Sequence, residues 1–303
     1  MSNCITFLLL SAACASINNL FMRRNLDNGG TTEGYLVAYF LFSLIITLCI
    51  QPVFKTSISM NTPLLYLGLG IGGMSVFMMI MTSFSLSTGP SALTFAFQNS
   101  GSVFPALILA NLFGNAYGFK FSWGLVFGAC FVVSGLLWAA VQQKRTEKTN
   151  PKWFFYVTAM LLVQTAVLTL YQWHCLLTNS AIASHPLIPY SCNPLEEIWF
   201  TPGLFLSASF LQTTYFALTS KRWPNKKELL WGSLGGACNG ASTFFLIQAA
   251  RIGTPAEQGI IFPFFAVGVI IICSAWGQWI YKEKIFWRAN LLASSGIVIG
   301  ALF

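Results

Sequence analysis

Charge is what this sequence has least of. Lysine, arginine, aspartate and glutamate together make up 8% of 303 residues, against about 25% in an ordinary soluble domain. A chain so poor in charge could not face water on all sides, and a soluble enzyme is excluded. Histidine occurs twice, and the eight acids are scattered along the chain. No Ser-His-Asp spacing or histidine cluster stands out, so neither hydrolytic chemistry nor a metal is expected. The eight cysteines form no Cys-x-x-Cys pair, which leaves a zinc or dithiol site unsupported. Five of them fall in apolar runs, where a thiol packs as a small apolar group. A phosphate-cradling Gly-Lys loop is missing too. No cofactor is expected, and any transport would have to run on a gradient or on exchange. Alternating polar and apolar residues in segments of about ten are absent as well, which excludes a transmembrane β-barrel.

What fills the sequence instead is apolar runs, 55% of the residues being hydrophobic. Ten segments, 4–22, 34–54, 63–86, 91–113, 119–141, 153–177, 199–219, 228–250, 256–280 and 286–303, each approach the roughly 20 residues that cross a bilayer. Backbone groups in lipid must bond within their own segment, so these should be helices. The expected fold is therefore an all-α integral membrane protein of ten transmembrane helices. Ala13-Cys14-Ala15 is faintly like a signal-peptide end, but no basic stretch precedes it and the apolar run continues to Phe21. We read the segment as a retained first helix.

Sliding the chain by 164 positions aligns 61–139 with 225–303 without a gap, and 12 of the 79 positions are identical. Gly68 and Gly72 fall on Gly232 and Gly236, Gly89 on Gly253, Ala92 on Ala256, Lys120 on Lys284 and Trp123 on Trp287. The pattern predicts two five-helix repeats, 1–141 and 153–303, joined by a basic linker at 142–152. An odd number of crossings per repeat makes the two inverted relative to each other. The net charge of +8 could suggest nucleic acid. The cations, however, sit between apolar runs, thirteen after odd-numbered segments and three (Lys55, Lys120, Arg251) on the other side. That bias places both termini outside and the 178–198 loop with them, where a Cys175–Cys192 disulfide is conceivable. Nucleic acid is not an expected partner.

The Gly89-Pro90-Ser91-Ala92 and Gly253-Thr254-Pro255-Ala256 hairpins, each opening a small-residue helix, and the Tyr281-Lys282-Glu283-Lys284 turn resemble the drug/metabolite transporter superfamily. The resemblance spans essentially the whole chain, although the first repeat carries Phe119 where the second has Glu283. Ser11-Ala12-Ala13-Cys14, the Arg23-Arg24 pair, and Ala250-Arg251-Ile252 before Pro255-Ala256 are similar to the rhamnose–proton symporter branch of sugar permeases. Glu257 and the inserted Gly253-Thr254 depart from that branch.

Glu257, about a turn into the ninth segment, is the one carboxylate clearly inside a span. A buried carboxylate can exchange protons near neutral pH, so Glu257 with Arg251 is expected to serve coupling or gating. A salt bridge that only fixes the hairpin is the alternative. The substrate-binding candidates are the amides Asn18, Asn19, Gln98, Asn99, Asn239, Gln248 and Gln258, with Trp276. Amides offer donors and acceptors together; structural bonds to neighbouring helices are the alternative. The resemblance implies a central cavity lined mainly by these spans, with Gln164, Gln172 and His174 as weaker candidates. The expected function is secondary transport, by alternating access, of a small polar metabolite, with a sugar favoured. Amino-acid, nucleoside or S-adenosyl-type solutes follow. A proton is a candidate coupling ion, and the setting is a cell membrane, the bacterial inner membrane in the first instance. The carrier would be a monomer or homodimer. An integral-membrane lipid enzyme or a flippase is the reading from another class.

Overall fold

The computed structural model describes residues 2–54, 62–113, 123–146, 151–177, 199–252 and 255–302. Among these the regular structure is entirely helical. In chain order the helices are α1 (Ser2–Asp27), α2 (Thr32–Phe54), α3 (Thr62–Thr88), α4 (Ser91–Ser100), α5 (Phe104–Phe113), α6 (Trp123–Thr146), α7 (Pro151–Leu177), α8 (Phe200–Ser220), α9 (Lys226–Ile252), α10 (Pro255–Tyr281) and α11 (Trp287–Leu302). A 3-10 turn, Gly101–Val103, joins α4 to α5. Cys192 and the 178–198 loop lie outside the described residues, as does the side chain of Cys175, whose backbone belongs to α7.

Among the described residues, six stretches are long and apolar enough to cross a bilayer: Cys4–Asp27, Thr32–Ile50, Thr62–Thr88, Ser91–Leu112, Pro151–His174 and Ile261–Tyr281. Large apolar side chains such as Leu9, Phe127, Phe155, Leu162 and Phe210 point outward and are exposed. On a soluble protein such a surface would aggregate; in a bilayer it faces acyl chains. The chain is a multi-pass, all-α membrane protein. Helix α9 falls outside the six because Ser233, Asn239, Ser242 and four glycines dilute its apolar character.

The chain divides into two compact units that are not contiguous in sequence. One comprises residues 1–16, 81–169 and 245–303, the other 17–80 and 170–244. In the second unit, α3 and α9 approach their neighbours at glycines. A Cβ on Gly68 would lie 2.2 Å from the Phe200 carbonyl oxygen, and one on Gly72 2.2 Å from that of Leu204, both on α8. Across the unit, a Cβ on Gly232 would lie 2.4 Å from the Tyr35 carbonyl oxygen and one on Gly236 2.2 Å from that of Tyr39, both on α2. Only glycine permits such backbone approach, which is how helices associate where lipid removes the hydrophobic drive. In the first unit, α6 and α11 pack in the same way: a Cβ on Gly135 would meet the Ala293 amide at 2.7 Å, and one on Gly296 the Gly128 carbonyl at 2.6 Å.

Candidate functional site

The most enclosed part of the first unit is the segment running through α4 and α5. Of its membrane-length stretch 78% is buried in the protein, against 33–56% for the other five. Every residue from Ser91 to Val103 is buried. Such a segment does not face lipid.

The helix breaks inside this enclosed region, and the sequence explains where. Pro105 has no N–H to give the Gly101 carbonyl, so the α-helical ladder loses a bond there. The Gly101 oxygen instead accepts from the Phe104 amide in a 3-10 turn and, weakly, from the Thr165 hydroxyl at 3.5 Å. Upstream, Asn99 Nδ2 donates to the Phe95 carbonyl at 2.8 Å and the Ser100 hydroxyl to the Ala96 carbonyl at 2.7 Å. Side chains that bond back one turn loosen the backbone ladder. Glycine at 101 allows α7 to close on the break, since a Cβ there would sit 3.1 Å from Thr165 Oγ1. Gln98, Asn99, Ser100 and Ser102 thus surround a helix interruption. The Ser102 hydroxyl, 1% exposed, has no hydrogen-bond partner among the described residues. A buried hydroxyl left unbonded costs about 1–3 kcal/mol, and a ligand oxygen would recover it.

Two contacts fix the start of α4. The Glu283 carboxylate, from the turn between α10 and α11, accepts from the Ser91 amide (3.1 Å), the Ala92 amide (3.0 Å) and the Ser91 hydroxyl. It supplies the cap that Pro90 cannot. Trp153 Nε1 donates to Thr94 Oγ1 at 3.1 Å, with its ring against Phe97. The Glu283 turn singled out in the sequence is therefore a brace for the broken segment.

The second unit holds a separate polar relay. Tyr35 Oη donates to Asn18 Oδ1 at 3.0 Å, and Asn18 Nδ2 donates to Tyr39 Oη at 3.4 Å. The two tyrosine rings stack with centroids 5.7 Å apart. Asn239 Nδ2 donates to Ser43 Oγ at 3.1 Å, which in turn bonds the Gly236 carbonyl at 3.0 Å. In the same unit Gln172 is 3% exposed, and neither end of its amide has a partner among the described residues.

At one end of that unit, Glu228 ties three chain segments together. Its carboxylate accepts from the Thr31 amide (2.7 Å) and hydroxyl (2.6 Å), from both Arg222 Nη atoms (2.9 and 2.7 Å) and from the Asn225 amide (2.7 Å). Asn225 Oδ1 reciprocates by accepting the Glu228 amide at 2.8 Å, a capping box at the start of α9. Burial alone would raise the carboxyl pKa, but this set of donors overrides it and holds the group at about 2, down from 4.5. Gly34 makes room, since a Cβ there would lie 2.4 Å from Glu228 Oε2.

The sequence-derived candidates thus separate into two groups. Gln98, Asn99, Gln248 and Trp276 belong to the first unit, and Asn18, Asn19 and Asn239 to the second. Asn18, Asn99 and Asn239 each make the internal bonds given above, so their amides already serve the scaffold. Trp276 is 7% exposed and meets Phe95 edge-on, with centroids 5.9 Å apart. Gln248 is partly buried. For Arg251, Glu257 and Gln258 the backbone is helical, but their side chains lie outside the described residues. Tyr35, Tyr39, Ser102 and Glu228 were not among the candidates. The i, i+4 spacing of the tyrosines and the Asn-x-x-Glu spacing at 225–228 were the available signals.

No family model matches the chain, nor does any curated protein sequence. Among solved structures, the crystal structure of another protein superposes with a TM-score of 0.62 at 14% identity, covering 99% of this chain and 96% of that one. At that identity the likeness concerns the fold alone.

Proposed function

We propose that this chain is a secondary transporter that carries a small polar metabolite, sugar-like in the first instance, by alternating access. It would be built from two inverted five-helix repeats making ten crossings, as in the drug/metabolite transporter superfamily, in the bacterial inner membrane. The observation that carries the reading is the interrupted, fully enclosed span at Gln98–Ser102. Helices broken at membrane depth are tolerated only where protein or a water-filled cavity surrounds them, and in carriers they hold the substrate. The offset of 164 puts Pro263, buried in α10, opposite Asn99. Gly- or Pro-bearing spans at matching positions of two halves point to such a site, although α10 runs unbroken through its proline.

The duplication has support of its own. The boundary between the compact units falls after Ile80 and again after Phe244, 164 residues apart. The glycines that approach α8 from α3 and α2 from α9 are the pairs Gly68/Gly232 and Gly72/Gly236, which the same offset aligns. Glu257 and Arg251 keep the coupling or gating role read from the sequence, with protons as the candidate ion.

The test begins with a thermal-shift screen of purified protein against sugars, amino acids and nucleosides, since a ligand of the folded state raises its unfolding midpoint. With a hit in hand, Gln98→Ala and Ser102→Ala are each expected to weaken its binding about tenfold, the worth of one good hydrogen bond. Uptake into proteoliposomes should fall with it. Undiminished binding and uptake in both variants would remove the broken span from the pathway. Glu257→Gln is expected to abolish accumulation against a gradient while sparing exchange; intact accumulation would discard the coupling role.

A further inference from the structure

The end of the second unit that Glu228 ties together carries more positive charge than its own structure uses. Arg222 is spent on Glu228 and Thr31, and Lys227 Nζ donates to the Asn28 carbonyl at 3.2 Å. That bond brings the start of α9 beside the end of α1, where Arg24 is exposed. Lys221, Lys226 and Arg24 are all exposed side chains, and none of them takes part in the hydrogen bonds and ion pairs at this end.

Two of these cations sit where local physics disfavours them. Lys221 closes α8 in the left-handed region, at φ 48° and ψ 30°, a conformation that glycine or asparagine adopts at lower cost. The dipole welcomes a cation at a helix C-terminus, but that does not require a lysine in this backbone geometry. Lys226 occupies the first turn of α9, the positive end of a helix, where a cation is repelled. Residues held against a local cost point to a gain elsewhere.

The surroundings indicate what supplies that gain. Trp223, at the tip between α8 and α9, is 91% exposed, and an indole so placed sits well at a membrane interface. Within a turn of the cations, Leu218 on α8 is 73% exposed, and Leu229 and Leu230 on α9 are 44% and 56% exposed. A cationic rim thus borders directly on an outward apolar face. A free anion would use only the rim; an amphiphile uses both. The sequence-wide charge bias assigns this end to the cytoplasmic side, whose leaflet presents anionic headgroups.

We propose that Arg24, Lys221 and Lys226, with Trp223 and the apolar flank of α8 and α9, form a binding site for the headgroup and upper acyl chain of an anionic phospholipid. The site is independent of the transported solute. Bound lipid would join the α1–α2 and α8–α9 connections from outside, as Glu228 joins them from within.

The test uses the full-length protein in detergent, delipidated and then titrated with phosphatidylglycerol, with phosphatidylcholine, or with inorganic phosphate. Thermal midpoint and retained lipid by native mass spectrometry are the readouts. Phosphatidylglycerol is expected to raise the midpoint and remain bound, less so at high salt, while phosphatidylcholine and phosphate do neither. The double variant Lys221→Gly with Lys226→Gln is expected to bind phosphatidylglycerol at least about tenfold more weakly. Its own lipid-free midpoint should be unchanged or higher, because both local costs are relieved. A merely structural role for these lysines would lower that midpoint instead. Lys226→Gln alone, at an exposed position, covers the case in which the double variant does not fold, and it should weaken phosphatidylglycerol binding in the same sense. Equal binding of the two lipids, an equal response to phosphate, or variants that bind phosphatidylglycerol like the parent would each overturn the proposal.

Discussion

Valine in place of Gly236 is expected to destabilise the protein by about 3 kcal/mol or more, enough to remove most of the monodisperse material from a detergent preparation. The obstacle is backbone. A Cβ at 236 would stand 2.2 Å from the Tyr39 carbonyl oxygen and 3.0 Å from the Phe42 Cβ, and neither atom can swing aside as the end of a long side chain could. To accommodate it, α2 and α9 would have to separate. That would break the Ser43 bonds to Gly236 and Asn239 and disturb the helix carrying Tyr35 and Tyr39. Gly72→Val should do the same from the other side of the unit, against the Leu204 carbonyl on α8. Gly70 provides the control: a Cβ there meets nothing within 4 Å, so Gly70→Val is expected to stay within about 1 kcal/mol of the parent. The measurement is the thermal midpoint together with the size-exclusion profile. Equal behaviour of Gly70→Val and Gly236→Val would mean that α2 and α9 do not approach this closely.

Glu228→Gln is the second large effect, expected to cost about 3 kcal/mol. Breaking a buried ion pair by removing one partner typically costs 3–5 kcal/mol, and the lower end applies because Arg222 keeps 38% of its side chain exposed. Glutamine keeps the shape but has one acceptor oxygen for a set of donors that now divides over two, and its amide nitrogen would face the Arg222 guanidinium. Acid should act on the parent in the same way. The carboxyl is held at about 2 in the folded protein against 4.5 in the unfolded chain. Its contribution is therefore complete above about 4.5 and is lost as pH falls toward 2. The parent should lose thermal stability across that window, while Glu228→Gln, already without the charge, should lose less. Parallel acid profiles for the two proteins would show that Glu228 does not link the α1–α2 turn to α9.

How much of this was legible beforehand depends on the range of the interaction concerned. Scarcity of charge and long apolar runs settled the all-α membrane class, because a lipid-facing backbone has no alternative to the helix once barrels are excluded. The adjacent amides Gln98 and Asn99 stood out as polar residues in an apolar span. That the helix breaks there follows from Pro105, whose missing N–H acts four residues upstream. The Asn225–Glu228 capping box was legible for the same reason, being local.

What the sequence could not supply was which polar groups are already spent. Asn99 turns back to its own Phe95 carbonyl, Asn18 is shared between Tyr35 and Tyr39, and Asn239 reaches Ser43 from 196 residues away. Glu228 meets Thr31 across 197 residues, and Glu283 caps Ser91 across 192. Composition and spacing determined that this chain is an all-α protein of the bilayer. Only the tertiary structure decided which amides, hydroxyls and carboxylates hold the helices together and which, like Ser102 and Gln172, are left buried without a partner among the described residues. A hydrogen bond is fixed by position in space, and positions brought together from opposite ends of a chain leave no mark in its local pattern.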